Sequence, residues 1–89
     1  MYQLYYSNKA LKDLEDLEGN VADRITKKNY FFAQQNDVRP FCKKLEGFGE
    51  PIYSFRVGEY RVSFDLGSSG EIQILTILRI KNRKDIYDL

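Results

Sequence analysis

The sequence predicts an α+β fold, an antiparallel-rich sheet packed on two helices in the order β-α-α-β-β-β. Three observations carry that reading. Tyr53–Leu66 alternates apolar and polar residues on both sides of Gly58-Glu59, the strongest short-range pattern for a β-hairpin. Before it, Ala10, Leu11, Leu14 and Leu17, and then Val21, Ala22, Ile25, Asn29 and Phe32, recur at helical spacing. After it, Glu71–Ile80 is apolar on both faces in its middle, as an interior strand is. The 89 residues are read as one domain, 1–89, with one small core. Folding a chain of this size removes about 60–65% of its unfolded surface from water.

Taken in order, Tyr2–Tyr6 is a short aromatic strand, and Ser7 follows it as an N-cap. The first helix turns Ala10, Leu11, Leu14 and Leu17 inward. Its other face carries Lys9, Lys12, Asp13, Glu15 and Asp16 and is read as solvated. Gly19-Asn20 ends that helix, and Asn20 is expected to cap the second, which runs to about Gln35. Pro40 disfavours helix at Arg39, so Asn36–Pro40 is read as a turn and Phe41–Phe48 as a loop relaxed by Gly47. Lys43 and Lys44 on that loop can touch a phosphate; a solvated pair is the simpler reading. Gly67-Ser-Ser-Gly70 turns the chain into the last strand. There Ile72, Ile74, Thr76, Leu78 and Ile80 face one way, and Gln73, Leu75, Ile77, Arg79 and Lys81 the other. The tail, Lys81–Leu89, leaves the sheet, with Asp85 as a cap and Ile86 packing down. The place of the first strand in the sheet is left open.

Composition excludes several chemistries. The chain has no histidine, which removes His-containing zinc sites, Ser-His and Cys-His nucleophile pairs, and the usual proton carrier near neutral pH. No metal or cofactor is called for. The single Cys42 cannot staple a monomer, and no apolar run approaches a membrane span or a signal peptide. A reducing cytoplasm, with no membrane partner, is therefore expected. Net charge is only +1, but Arg79–Lys84 holds four basic groups in six residues and no acid.

The hairpin concentrates charge more pointedly. With Gly58-Glu59 as the whole turn, Val57 faces Tyr60 and Arg56 faces Arg61. Directly opposed side chains have Cβ atoms about 5 Å apart, and like charges there destabilise the pair. Two guanidinium forks side by side suit an anion held between them, a phosphate above all. The alternative is that the long side chains splay into solvent. If the apolar stripes of the hairpin and of the last strand share one core, Arg56, Arg61, Arg79 and Lys81 converge on the uncovered face. Tyr87 follows that cluster and can either stack on a base or anchor the tail.

The layout resembles the RelE/ParE toxin superfamily of toxin–antitoxin modules. The residues that carry the resemblance are Leu45-Glu-Gly47, Val57-Gly-Glu-Tyr-Arg-Val62 and Ile77-Leu-Arg-Ile-Lys-Asn-Arg-Lys-Asp-Ile-Tyr87. The Tyr-Arg-Val strand combined with Arg-x-x-x-Tyr brings it nearer the RelE branch, whose members cut messenger RNA in the ribosomal A site. That resemblance implies a RelE-like fold, an endoribonuclease needing no metal, and three partners: a cognate antitoxin protein, the ribosome and its messenger RNA. Operator DNA would be met only through the toxin–antitoxin complex.

The resemblance also implies roles. Arg61 would hold the scissile phosphate, with Arg56 as a second cation. Lys81 would protonate the leaving 5′-oxygen, and Tyr87 would stack on the base or help remove the 2′ proton. Arg79, Arg83, Lys84, Lys43 and Lys44 would line the RNA path. Two positions depart from the pattern: Ser54 stands where well-studied RelE-like nucleases carry lysine, and Asn82 where many relatives have histidine. Lys43 or Lys44 is the candidate to replace the missing charge, and the sequence does not choose between them. The rival readings are a ParE-like poison of DNA gyrase and a catalytically silent member that only binds its antitoxin.

Overall fold

A computed structural model describes residues 1–45 and 51–84. Its elements are β1 (Gln3–Tyr6), α1 (Asn8–Glu15), α2 (Gly19–Ala33), a 3-10 turn (Arg39–Phe41), β2 (Lys43–Leu45), β3 (Ile52–Val57), β4 (Tyr60–Ser69) and β5 (Ile72–Asn82). The strands form one sheet in the order β1-β5-β4-β3-β2. β1 lies parallel to β5, which fixes the position the sequence left open, and the other pairings are antiparallel. The predicted element order is present, with one addition. The stretch expected to be a loop after Phe41 contains β2, which pairs Lys43–Leu45 with Ile52–Ser54 at the sheet edge.

Both helices pack on the same face. Ser7 caps α1 as expected, its Oγ accepting from Ala10 N at 3.0 Å. Ala10 is fully buried and Leu14 and Leu17 pack against the core, but Leu11 is 46% exposed. Positions 10, 14 and 17 follow the i, i+4, i+7 stripe, whereas residue 11 is rotated about a quarter-turn away. The cap of α2 also differs from expectation. Glu18 occupies it in an extended conformation with no side-chain capping bond, its carbonyl accepting from Ala22 N at 2.9 Å. Asn20 therefore lies inside the first turn. From α2, Ile25, Asn29, Phe32 and Ala33 are buried.

The core is organised around a run of rings. Tyr53–Phe64, Phe64–Phe55, Phe55–Phe32 and Phe32–Phe41 have centroids 5.7, 5.8, 4.4 and 6.3 Å apart. These distances suit offset and tilted aromatic packing. Phe64 and Val62 are inaccessible to solvent, whereas Phe41, at the end of the run, is 55% exposed.

One irregularity in β5 decides which residues face that core. Ser63 pairs with Arg79 but Phe64 pairs with Ile77, so Leu78 is an extra residue. A bulge reverses the facing of everything beyond it. The buried set is Leu75, Ile77 and Ile80, where regular alternation predicted Ile72, Ile74, Thr76, Leu78 and Ile80. Ile72 is instead 48% exposed.

At the same point β1 ends, its last pair being Tyr6 with Ile77. α1 takes over the edge of β5 with side chains. Ser7 Oγ donates to Leu78 O at 2.8 Å, and Asp13 Oδ2 accepts from Ile80 N at 2.9 Å. Backbone groups that would otherwise form an open sheet edge are thus satisfied by the helix.

Candidate nucleic-acid interface

The hairpin forms as its alternation requires. Val57 pairs with Tyr60 and Arg56 with Arg61, around a turn in which Gly58 has φ +60°. That conformation disfavours any residue with a Cβ, and a Cβ there would also lie 2.6 Å from Arg24 Nη2, reaching over from α2. The turn therefore closes tightly and fixes the two arginines opposite each other.

β5 extends this pair into a row. Arg61 pairs with Lys81, so Arg56, Arg61 and Lys81 stand side by side across three strands on the face opposite the buried Phe55, Val62 and Ile80. Strands lie about 4.8 Å apart, so the row spans roughly 10 Å at the backbone. Two residues along the strands runs a second row, in which Lys43 pairs with Ser54 and Ser54 with Ser63. Lys43 is thus a diagonal neighbour of Arg56, about 7–8 Å away at Cα. Lys44 pairs with Tyr53 and belongs to the other face. Register therefore selects Lys43 as the cation beside Ser54. Among the described residues neither Arg56 nor Arg61 makes a salt bridge.

Arg79, expected on this face, shares it by register, pairing with Ser63 in the second row, but its guanidinium is tied to α1. Its Nε and Nη2 donate to Asp13 Oδ2 and Oδ1 at 2.9 and 3.2 Å. The bidentate geometry suits guanidinium and carboxylate. Asp13, read as part of a solvated face, is instead a structural acceptor. Partial burial opposes its ionisation, but the hydrogen bonds from Arg79 and Ile80 N and the charges of Arg79 and Lys81 prevail, holding its carboxyl below the ordinary value. The same hydrogen bond raises Arg79.

The end of β5 stays tied to the hairpin, with Arg83 N donating to Glu59 O at 2.8 Å. Asn82 Oδ1 accepts from Lys84 N at 3.0 Å. Asp85, Ile86 and Tyr87, like Gly47, lie outside the described residues. Cys42 is half-buried, and burial pushes its thiol up to about 11. It is protonated near neutral pH, which removes it as a nucleophile.

Beside the cationic rows lies a cleft of about 440 Å³ between the 3-10 turn and the sheet. Phe32, Phe41 and Phe55 line it together with Lys43, Arg56 and Arg61. Sequence reasoning missed it because Phe41 reads as an isolated apolar residue in a loop.

A family profile described as "ParE toxin of type II toxin-antitoxin system" matches residues 4–87. The chain belongs to the RelE/ParE toxin family. No curated protein matches it by sequence, but solved structures share the family's fold. A RelBE toxin–antitoxin complex from Mycobacterium tuberculosis is similar with TM-score 0.75 and 21% identity, over 92% of this chain and 91% of that one. An archaeal RelE–RelB complex from Pyrococcus horikoshii gives TM-score 0.71 and 25% identity, covering 92% and 94%. The intact RelBE complex of E. coli gives 0.72 and 18%, covering 92% and 96%. For this member of the RelE/ParE family, the likeness establishes the two-helix, mixed-sheet fold on which the cationic rows are displayed. Among its described residues no helix is long and apolar enough to cross a membrane.

Proposed function

We infer that this chain is a toxin of the RelE type, an endoribonuclease that cuts messenger RNA in the ribosomal A site and is restrained by a cognate antitoxin. The observation that carries the reading is the row Arg56–Arg61–Lys81. Opposed like charges destabilise a hairpin unless an anion compensates them, and a phosphodiester is an anion matched to guanidinium forks.

RNA supplies its own nucleophile. The 2′-oxygen attacks the adjacent phosphorus, the bond to the 5′-oxygen breaks, and a 2′,3′-cyclic phosphate and a free 5′-hydroxyl result. The protein has only to orient the strand, stabilise charge and move protons. Arg61 and Arg56 clamp the phosphate as charge builds on its oxygens. Lys81 protonates the leaving oxygen, lysine being as a residue type a readier proton donor than arginine. Tyr87 orients the base or takes the 2′ proton. Lys43, diagonal to Arg56, supplies the charge that Ser54 does not. The RelE–antitoxin complexes among the structural relatives support an antitoxin partner here, one that covers the cationic face or displaces the Tyr87 tail.

A second reading, poisoning of DNA gyrase, is favoured by the ParE description of the matching family. It does not require the phosphate row. Expression in growing cells with pulse labelling separates the two. The nuclease halts incorporation of labelled amino acids while thymidine incorporation continues, and Arg61→Gln with Lys81→Gln abolishes the arrest. Arrest that survives both substitutions, with DNA synthesis lost first, would instead establish the gyrase reading.

A further inference from the structure

The cleft beside the arginines contains more than phosphate recognition requires. Its described lining carries three cations and no carboxylate, yet three of its nine residues are aromatic. Phe41 is the exposed end of the ring run. It is 55% accessible while its inner side rests 6.3 Å from Phe32, which is 4.4 Å from Phe55. Pro40 immediately before it fixes the 3-10 turn, and Cys42 N donates to Arg39 O at 3.2 Å. The ring is therefore backed by Phe32 and half-open to solvent, in a cleft that the cations also line. Single-stranded nucleic-acid sites are built this way, with aromatic planes for bases beside a cationic track for the backbone.

We propose that this cleft is a one-nucleotide subsite in which a base stacks on Phe41 while its phosphate lies against Arg56, Arg61 and Lys43. The inference rests on the RNA-cutting reading of the same face and adds to it a nucleotide-binding position built by the 3-10 turn. The cleft volume, about 440 Å³, is in the range of small-molecule sites. An apolar peptide would gain nothing from three cations, and a bare phosphate would gain nothing from Phe41. A nucleotide uses both.

The test compares three probes by NMR titration of the full chain at constant ionic strength: adenosine 5′-monophosphate, ribose 5-phosphate and inorganic phosphate. The nucleotide is expected to bind roughly tenfold or more tightly than ribose 5-phosphate, the factor one stacked base supplies. Phe41→Ala and Phe41→Leu should both erase that preference while leaving phosphate binding in place. The leucine variant retains apolar packing against Phe32. Phe31→Ala, which removes a 50% exposed ring outside the cleft lining, should keep the preference. Equal affinity for base-bearing and base-free probes overturns the proposal, as does a preference that survives Phe41→Leu. Loss of antitoxin binding in Phe41→Leu without loss of base preference also overturns it and marks a protein interface. Because the titration needs no ribosome, the two readings fail separately. Base preference without A-site cleavage would refute the nuclease alone, and cleavage without base preference would refute the subsite alone.

Discussion

Replacing Asp13 by alanine should cost about 2–3 kcal/mol of folding stability. Two interactions are lost together. The ion pair with Arg79 is bidentate at 2.9 and 3.2 Å, but the Arg79 side chain is 37% exposed, which limits that pair to roughly 0.5–1 kcal/mol. The bond from Ile80 N, 2.9 Å long, sits where β1 no longer pairs, its last partner on β5 being Ile77. An orphaned buried donor costs about 1–3 kcal/mol. Arg79→Ala should therefore cost only about 0.5–1 kcal/mol, since Asp13 would still hold Ile80 N. Urea unfolding followed by circular dichroism measures both; with m near 1–2 kcal/mol/M, Asp13→Ala should lower the midpoint by roughly 1–3 M. Because the native Asp13 pKa is depressed, the unfolded chain binds more protons as pH falls. The stabilisation is full above about pH 4, the unfolded value, and declines as pH drops through the native one. Equal losses in the two variants, or a loss below about 0.5 kcal/mol in Asp13→Ala, would refute α1 as the cap of the β5 edge.

Other consequences follow from the same geometry. Gly58→Ala places a Cβ at φ +60° and against Arg24. It should cost about 1 kcal/mol and lower Tm by roughly 4–8 °C. Gly67→Ala, with nothing within 4 Å of its Cβ, should change Tm far less, and calorimetry compares the two. Lys43→Gln should weaken binding of a short oligoribonucleotide several-fold more than Lys44→Gln, whose side chain belongs to the opposite face; fluorescence anisotropy reads this. The Cys42 thiol, pushed up to about 11, should react with iodoacetamide at pH 7.5 roughly 100-fold more slowly than an ordinary cysteine. Its rate should rise with pH toward that value and recover in denaturant.

The parts legible in the sequence are those governed by short-range rules. A two-residue turn between alternating strands leaves one register, so the Val57–Tyr60 and Arg56–Arg61 pairs could be read directly. Ser7 was legible as a cap for the same reason. The facing of β5 was not, because a strand apolar on both sides looks regular whether or not it contains an extra residue, and Leu78 leaves no trace in the alternation. That one residue moved the buried positions before it to Leu75 and Ile77, while Arg79 keeps its register with Ser63 and only its guanidinium is drawn to Asp13. Lys43–Leu45 has no strand signature of its own and is a strand only because β3 offers an edge. The choice of Lys43 over Lys44 is likewise a matter of register. Phe41 acquires meaning only from the rings behind it.

The central claim is that the Arg56–Arg61–Lys81 row holds the phosphate being cut. Its most direct test adds the purified protein to ribosomes stalled on a defined message with an empty A site and maps the new 5′ ends. A single cut within the A-site codon is predicted, slowed by roughly 10²–10³-fold in Arg61→Ala, as expected when a phosphate-clamping group worth about 3–4 kcal/mol in the transition state is lost. An intact message, or a cut of unchanged rate in Arg61→Ala, would contradict it.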